Sequence, residues 1–286
     1  MLSLAKEIPE NKQMKHIDLD KNLKESDSKV LKKMPAFFVS FLKKVVKQEE
    51  INSILNKYID NNGVEFVNNI INEFNLKPEI SGVENLPENG KCFFVANHPF
   101  GIVDGLILTS TISEKYGKFK AIGNDAFMLI PQMREVTAAV NVYGQSSRAY
   151  VLEFNKIYSS DFPITHFPAG MVSRWRDGKV QDFDWQKSVI TKAVSHKRDI
   201  VPFYFYGSNS KLFHSIYRIR KFFGIKATIE LALLPHELFN KKNKTIKAVI
   251  GKPIPWQKFD KSKSPWDWAQ ELRKHIYKLK DGKLSF

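Results

Sequence analysis

The chain carries one cysteine, Cys92, in 286 residues. That excludes an internal disulfide and any zinc site built on paired cysteines. No uncharged apolar run approaches the ~18–20 residues that a membrane-spanning helix needs. The opening Met1-Leu2-Ser3-Leu4-Ala5-Lys6 lacks the apolar core of a secretory signal. There is no Gly-x-Ser-x-Gly elbow, P-loop or Gly-x-Gly-x-x-Gly, the usual signatures of α/β-hydrolases, nucleotide hydrolases and dinucleotide binding. No His-x-x-x-His pair occurs and His236-Glu237 has no second His, so no metal site is expected. Acidic charge is also short. Asp plus Glu number 30 against 45 Lys plus Arg, a formal net charge of +15. Such a surplus suits acidic partners: nucleic acid, anionic headgroups, an acidic protein or a phosphate-bearing substrate.

What remains is an ordinary folded composition, 43% hydrophobic and 26% charged. Residues 1–35 contain no aromatic side chain and are dense in Lys, Glu and Asp, which predicts a charged flexible arm. Over 36–75, Phe37, Phe38, Phe41, Leu42, Val45 and Val46 recur at helical spacing, and Ile51, Ile54, Leu55 and Tyr58 continue it until Asn62-Gly63. This is an N-terminal helical segment. From 76 to 286, short β-branched and aromatic runs near 92–96, 119–123, 137–142, 164–167, 200–206, 228–234 and 247–250 alternate with helical patterns near 104–115, 147–159, 186–196, 211–223 and 265–280. Alternation of this kind predicts an α/β domain: a largely parallel mixed sheet flanked by helices.

Sites in open α/β sheets gather at the carboxyl ends of strands. There the run Cys92–Ala96 gives way to Asn97-His98-Pro99-Phe100-Gly101-Ile102-Val103-Asp104. An imidazole and a carboxylate share one strand-to-helix turn. A carboxylate holding one ring nitrogen leaves the other free as a general base near neutral pH. The same turn is compatible with a packed His98 and a helix-capping Asp104. Further on, His166-Phe167-Pro168-Ala169-Gly170-Met171-Val172-Ser173-Arg174 ends on a hydroxyl and a guanidinium suited to an anionic group. Arg148 after Gly144-Gln145-Ser146-Ser147 is a second candidate anion contact. Cys92, inside the apolar run, is expected to be a core thiol.

Two stretches pair basic with apolar residues. Phe37, Phe38 and Phe41 lie beside Lys43, Lys44 and Lys47. Lys211 to Lys226 contains Arg218, Arg220 and Lys221, interleaved with Leu212, Phe213, Ile216, Ile219, Phe222 and Phe223, and no acidic residue. Both read as elements that contact an anionic membrane surface or an acidic carrier protein; for the stretch from Lys211 to Lys226, a core-facing helix with a solvated basic face is the alternative. A non-enzymatic basic module binding nucleic acid or an anionic membrane surface is a rival reading of the whole chain; no helix-turn-helix, zinc-finger or RNP-type motif supports the first, so no nucleic acid partner is expected, and the intact His98 and Asp104 argue against a scaffold without catalysis.

In order, Asn97-His98…Asp104, Phe167-Pro168-Ala169-Gly170 and Val201-Pro202 resemble the motifs of the glycerolipid acyltransferase superfamily, the lysophosphatidic acid acyltransferase group. The resemblance spans roughly residues 75–255. The Asn-His-Pro-x-Gly-x-x-Asp-Gly form is most like the hemolysin-like or ornithine-lipid acyltransferase subgroup. It implies transfer of a fatty acyl group from acyl-CoA or acyl-carrier protein to a hydroxyl or amine of a lipid precursor. His98 would be the base and Asp104 its orienting charge, with Asn97, Arg148, Phe167, Pro168, Gly170, Ser173 and Arg174 around the substrates. It also implies no bound cofactor, and peripheral association with the inner face of the cytoplasmic membrane. The chain departs from the family's common form by one extra residue between His98 and Asp104, and by Ala169 where many relatives carry Glu. Its second motif, at 144–148, is shortened. Glycerol 3-phosphate is therefore expected to be a poorer acceptor than a lyso-lipid or an amino-acid-derived one.

Overall fold

The structure, a computed structural model, describes residues 15–25, 35–124, 130–140, 148–225 and 228–286. The chain divides into two compact units, Met1–Asp60 and Asn61–Phe286. In the first, helices α1 (Leu19–Glu25), α2 (Ala36–Val46) and α3 (Gln48–Lys57) are held by short polar links. Lys47 adopts a left-handed conformation (φ 58°) that ends α2 and begins α3. Asn52 exchanges two 2.8 Å hydrogen bonds with the Ile17 backbone, Gln48 accepts from the Leu19 N–H, and Lys43 pairs with Asp20. Part of the expected flexible arm is thus an anchored helix. Phe37 and Phe41 are exposed on α2, while the Phe38 side chain lies outside the described residues.

The second unit begins with α4 (Gly63–Glu73), which buries Phe66, Val67, Ile70 and Ile71 and packs on α5 (Val103–Tyr116). The segment 36–75 forms three helices, α2, α3 and α4, and α4 falls in the second unit, where its apolar stripe has its partner. The strands are β1 (Lys77–Ser81), β2 (Cys92–Ala96), β3 (Lys120–Asn124), β4 (Thr137–Val140), β5 (Ile164–His166), β6 (Arg174–Arg176), β7 (Lys179–Gln181), β8 (Asp199–Phe205) and β9 (Thr245–Ile250). The other helices are α6 (Arg148–Ser159), α7 (Ser188–His196), α8 (Lys211–Phe222), α9 (Leu234–Asn240) and α10 (Pro265–Lys278). The main sheet runs β1-β9-β8-β2-β5-β3-β4. All neighbours pair in parallel except β8 with β9. The expected largely parallel mixed sheet is what forms.

Every residue of β2 is buried, as a central strand covered on both faces requires. Successive side chains point to opposite faces. Phe93 and Val95 enter the cluster built by α7 and α10 with Trp185, Ile190, Leu272 and Ile276. Phe94 meets Tyr116 of α5 on the other face. Each such buried side chain contributes about 1.5–3 kcal/mol.

Two elements differ from expectation. The stretch 228–234 is not a strand: Ile229–Leu233 is a 3₁₀ turn running into α9. Pro235 lies in the first turn of α9, where its fixed φ favours a helix and its missing N–H costs nothing. The second is an unforeseen hairpin, β6–β7. Asp177 and Gly178 both take positive φ between its arms, and Asp-Gly is a standard signal for a two-residue hairpin turn.

Candidate active site

The turn between β2 and α5 is shaped by one carboxylate. Asp104, in the first turn of α5 and wholly buried, accepts from the main-chain N–H of Phe100 (2.8 Å) and Gly101 (3.3 Å) through Oδ2 and from Gly105 (2.9 Å) through Oδ1. The helix N-terminus favours its negative charge. His98 Nδ1 lies 3.1 Å from the same Oδ2, at ion-pair distance but off the hydrogen-bond axis. Gly101 permits this turn. Its φ is +88°, and a Cβ there would meet Leu234 and Val172 at 2.8 Å.

The imidazole keeps 15% exposure and stacks on Phe167, ring centroids 4.0 Å apart. Phe167 begins the turn after β5. There Gly170 takes φ +65° and its N–H returns to the Phe167 carbonyl at 2.9 Å. Pro168 is buried and its carbonyl accepts from the Gln186 N–H. The two turns expected to carry the chemistry, distant in sequence, thus meet at the carboxyl edge of the sheet, where the Ser173 N–H also donates to the His98 carbonyl at 2.7 Å.

Several residues expected to touch substrate are instead committed to the protein. Both ends of the Asn97 amide are used on Phe205 of β8, Nδ2 to its carbonyl (3.0 Å) and Oδ1 from its N–H (2.7 Å); Asn97 ties two strands together. The buried Ser173 hydroxyl donates to Asp182. Arg174, fully buried, spends its guanidinium on Glu230 (3.1 Å) and on the Val172 and Ser173 carbonyls. Arg220, expected at a surface, pairs with the other Glu230 oxygen at 2.6 Å and is buried. Burial alone would raise the Glu230 carboxyl, but the Arg220 hydrogen bond and the charges of Arg174 and Arg220 hold it below its ordinary range. Arg218 and Lys221 are exposed on α8. The Arg148 side chain and residues 141–147 lie outside the described residues.

Asp182 was missed by the sequence reading. Wholly buried, it accepts through Oδ1 from the His98 N–H (3.2 Å) and the Ser173 hydroxyl, and through Oδ2 from Trp185 Nε1 (2.9 Å). Its own N–H donates to Tyr277 Oη at 2.8 Å. Burial raises its carboxyl pKa, opposed by the Ser173 and Trp185 hydrogen bonds. It joins the His98 turn, the Phe167 turn and α10. The only prior signal was an alternation of acidic and aromatic residues that Asp182 opens, Asp182-Phe183-Asp184-Trp185. No group of three or more His, Cys, Asp or Glu side chains able to hold a metal occurs among the described residues.

A mostly buried imidazole lies beside a wholly buried carboxylate at the carboxyl edge of a mostly parallel α/β sheet, the place where sites in such folds gather. A family model described as Acyltransferase matches residues 21–284, and the chain belongs to that family. Two curated proteins named lyso-glycine lipid O-acyltransferase are similar. The one from Phocaeicola vulgatus is 40% identical over 92% of this chain and 95% of its own length, and the one from Bacteroides thetaiotaomicron is 39% identical over 92% and 97%. The solved structure of a 1-acyl-sn-glycerophosphate acyltransferase, PlsC, from Thermotoga maritima matches 85% of this chain and 89% of that one at 16% identity, with a TM-score of 0.48.

Proposed function

We propose that this acyltransferase moves a fatty acyl group from a thioester, acyl-CoA or acyl-carrier protein, to the hydroxyl of a lyso-lipid built on an amino acid. The observation that carries the reading is His98 Nδ1 3.1 Å from the buried Asp104 carboxylate. The other ring nitrogen takes the proton from the acceptor hydroxyl as its oxygen attacks the thioester carbonyl. The tetrahedral intermediate then collapses, its C–S bond breaks, and the thiolate leaves with the proton held by His98. No acyl-enzyme intervenes and no cofactor is consumed. Asp104 supports the transient imidazolium, and stacking on Phe167 fixes the ring. Main-chain N–H groups of the turn at Phe167, which stands against the imidazole, stabilise the developing oxyanion.

The acceptor class rests on two supports. The relatives named above are lyso-glycine lipid O-acyltransferases. In addition, Arg174, the guanidinium nearest the Phe167 turn in sequence, is spent on Glu230, so glycerol 3-phosphate finds no phosphate clamp there. Because acceptor and product are lipids, the enzyme works against the inner surface of the cytoplasmic membrane; no helix among the described residues is long and apolar enough to cross one. The test is purified protein with acyl-CoA and a lyso-glycine lipid, glycerol 3-phosphate as the comparison acceptor, and products resolved by mass spectrometry. We expect diacylated product from the lyso-lipid and a loss of about 10²–10⁴ in rate for His98→Ala. Unchanged turnover in that variant, or faster acylation of glycerol 3-phosphate, refutes the reading.

A further inference from the structure

Helix α8 presents three different faces. At about 100° per residue, Phe213, Tyr217 and Arg220 fall together and are buried. Leu212, Ile219 and Phe223, at i, i+7 and i+11, form a second stripe that is exposed. Phe222 stands beside it at 85% exposure and Phe223 at 69%, their rings edge to face at 5.2 Å. Ile225 and Ile229, beyond the helix, are exposed as well. Lys211, Arg218 and Lys221 occupy the remaining arc, all exposed. Contiguous apolar surface of this kind, left open to water, marks a contact site.

The same helix is clamped to the catalytic turns. Its N-cap, Ser210, bonds Glu237 through both N–H (2.8 Å) and hydroxyl (2.5 Å). The preceding Asn209 donates to the carbonyl of Phe100 in the His98 turn at 3.2 Å. From its C-terminal half, Arg220 meets Glu230, which also holds Arg174 at the end of the Phe167 turn. Whatever α8 rests on is thereby set at a fixed orientation to His98.

We propose that the outward face of α8 is the surface by which the enzyme docks on an anionic lipid bilayer, with Phe222, Phe223 and Ile219 in the acyl boundary and Arg218 and Lys221 among the headgroups. Charge and apolarity together choose this occupant. An acidic protein would answer the cations but leave two adjacent phenyl rings without an apolar partner. A bilayer of anionic lipid answers both, and no acidic residue between Lys211 and Ile225 opposes it. The inference deepens the proposed lipid acceptor by naming the surface on which that acceptor is met.

The test is co-sedimentation with phosphatidylcholine vesicles with and without phosphatidylglycerol, at low and high salt, alongside turnover of a short-chain soluble acyl-CoA. Phe222→Ser/Phe223→Ser should lower partition at least about tenfold at both salt concentrations, because the apolar contribution is not screened. Arg218→Glu/Lys221→Glu should lower it at least about tenfold at low salt and little at high salt. All four side chains are exposed, so soluble turnover should stay at the parent level in both variants. Unchanged partition in the Phe pair overturns the proposal. So does partition lost only with Phe37→Ser/Phe41→Ser on α2, or a raised KM for acyl-carrier thioester with vesicle binding intact. If the parent protein fails to turn over the soluble donor, the proposed reaction falls, while the vesicle measurement still decides the docking face.

Discussion

Replacing Asp104 with Asn tests how much of the rate rests on a single buried charge. Two energies follow from the geometry. At 3.1 Å, a carboxylate and the imidazolium formed during transfer attract by about 5 kcal/mol at an effective dielectric of about 20. Losing that corresponds to about 10³–10⁴ in rate. The second energy is structural. Asp104 uses one oxygen on Phe100 and Gly101 and the other on Gly105, and an amide has only one oxygen. In either amide orientation an NH₂ group confronts a main-chain N–H, costing about 1–3 kcal/mol, or a few degrees in Tm for a unit of this size. If the NH₂ faces His98, it donates to Nδ1 and fixes the tautomer that cannot accept the substrate proton. The assay is thiol release from a short soluble acyl-CoA, read with a chromogenic thiol reagent, with Tm followed by circular dichroism. Cys92 adds no background in the native state, because burial and then the Asp199 charge push its thiol up to about 12. A folded Asp104→Asn enzyme with a kcat above a tenth of the parent's refutes the reasoning.

Three further outcomes are expected. Glu230→Ala leaves Arg174 and Arg220 buried without their shared partner and should cost about 3–5 kcal/mol in chemical denaturation, against less than about 0.5 kcal/mol for the exposed Arg218→Ala. Stability should fall as pH drops from about 6.5 to about 4. Burial lowers His166 from 6.5 to about 4, so the folded state binds fewer protons than the unfolded chain within that window. This contribution is complete above 6.5 and shrinks by about 3 kcal/mol toward the lower end, and His166→Gln should flatten that slope in urea titrations at several pH values. Asp182→Ala strips acceptors from the His98 N–H, the Ser173 hydroxyl and Trp185 Nε1. It should cost at least about 3 kcal/mol and shift the Trp fluorescence maximum; native stability in this variant would remove Asp182 from the framework of the site.

The closeness of His98 and Asp104 was legible in the sequence because its geometry is local. A buried strand, a turn shaped by Pro99 and Gly101, and a helix beginning at once leave few positions for His98 and Asp104 other than side by side. The alternation that predicts the sheet is local in the same way, and so is the periodicity of α8, whose stripes follow from a fixed angle per residue. Legible signals were also overlooked: Asp177-Gly178 marks the β6–β7 hairpin and Pro235 the start of α9. What no local pattern carries is which polar groups are used up inside. Ser173 and Arg174 have the composition of an anion site, and Arg220 that of a basic surface. Asp182 reaches His98 across 84 residues, and Glu230 reaches Arg174 across 56. A charged side chain belongs at the surface unless a partner meets it in the core. Only the folding of the sheet, which brings α8, the turn at 229–233 and the end of the Phe167 turn into one place, supplies Glu230 and turns an expected anion contact, Arg174, and an expected surface cation, Arg220, into internal ties.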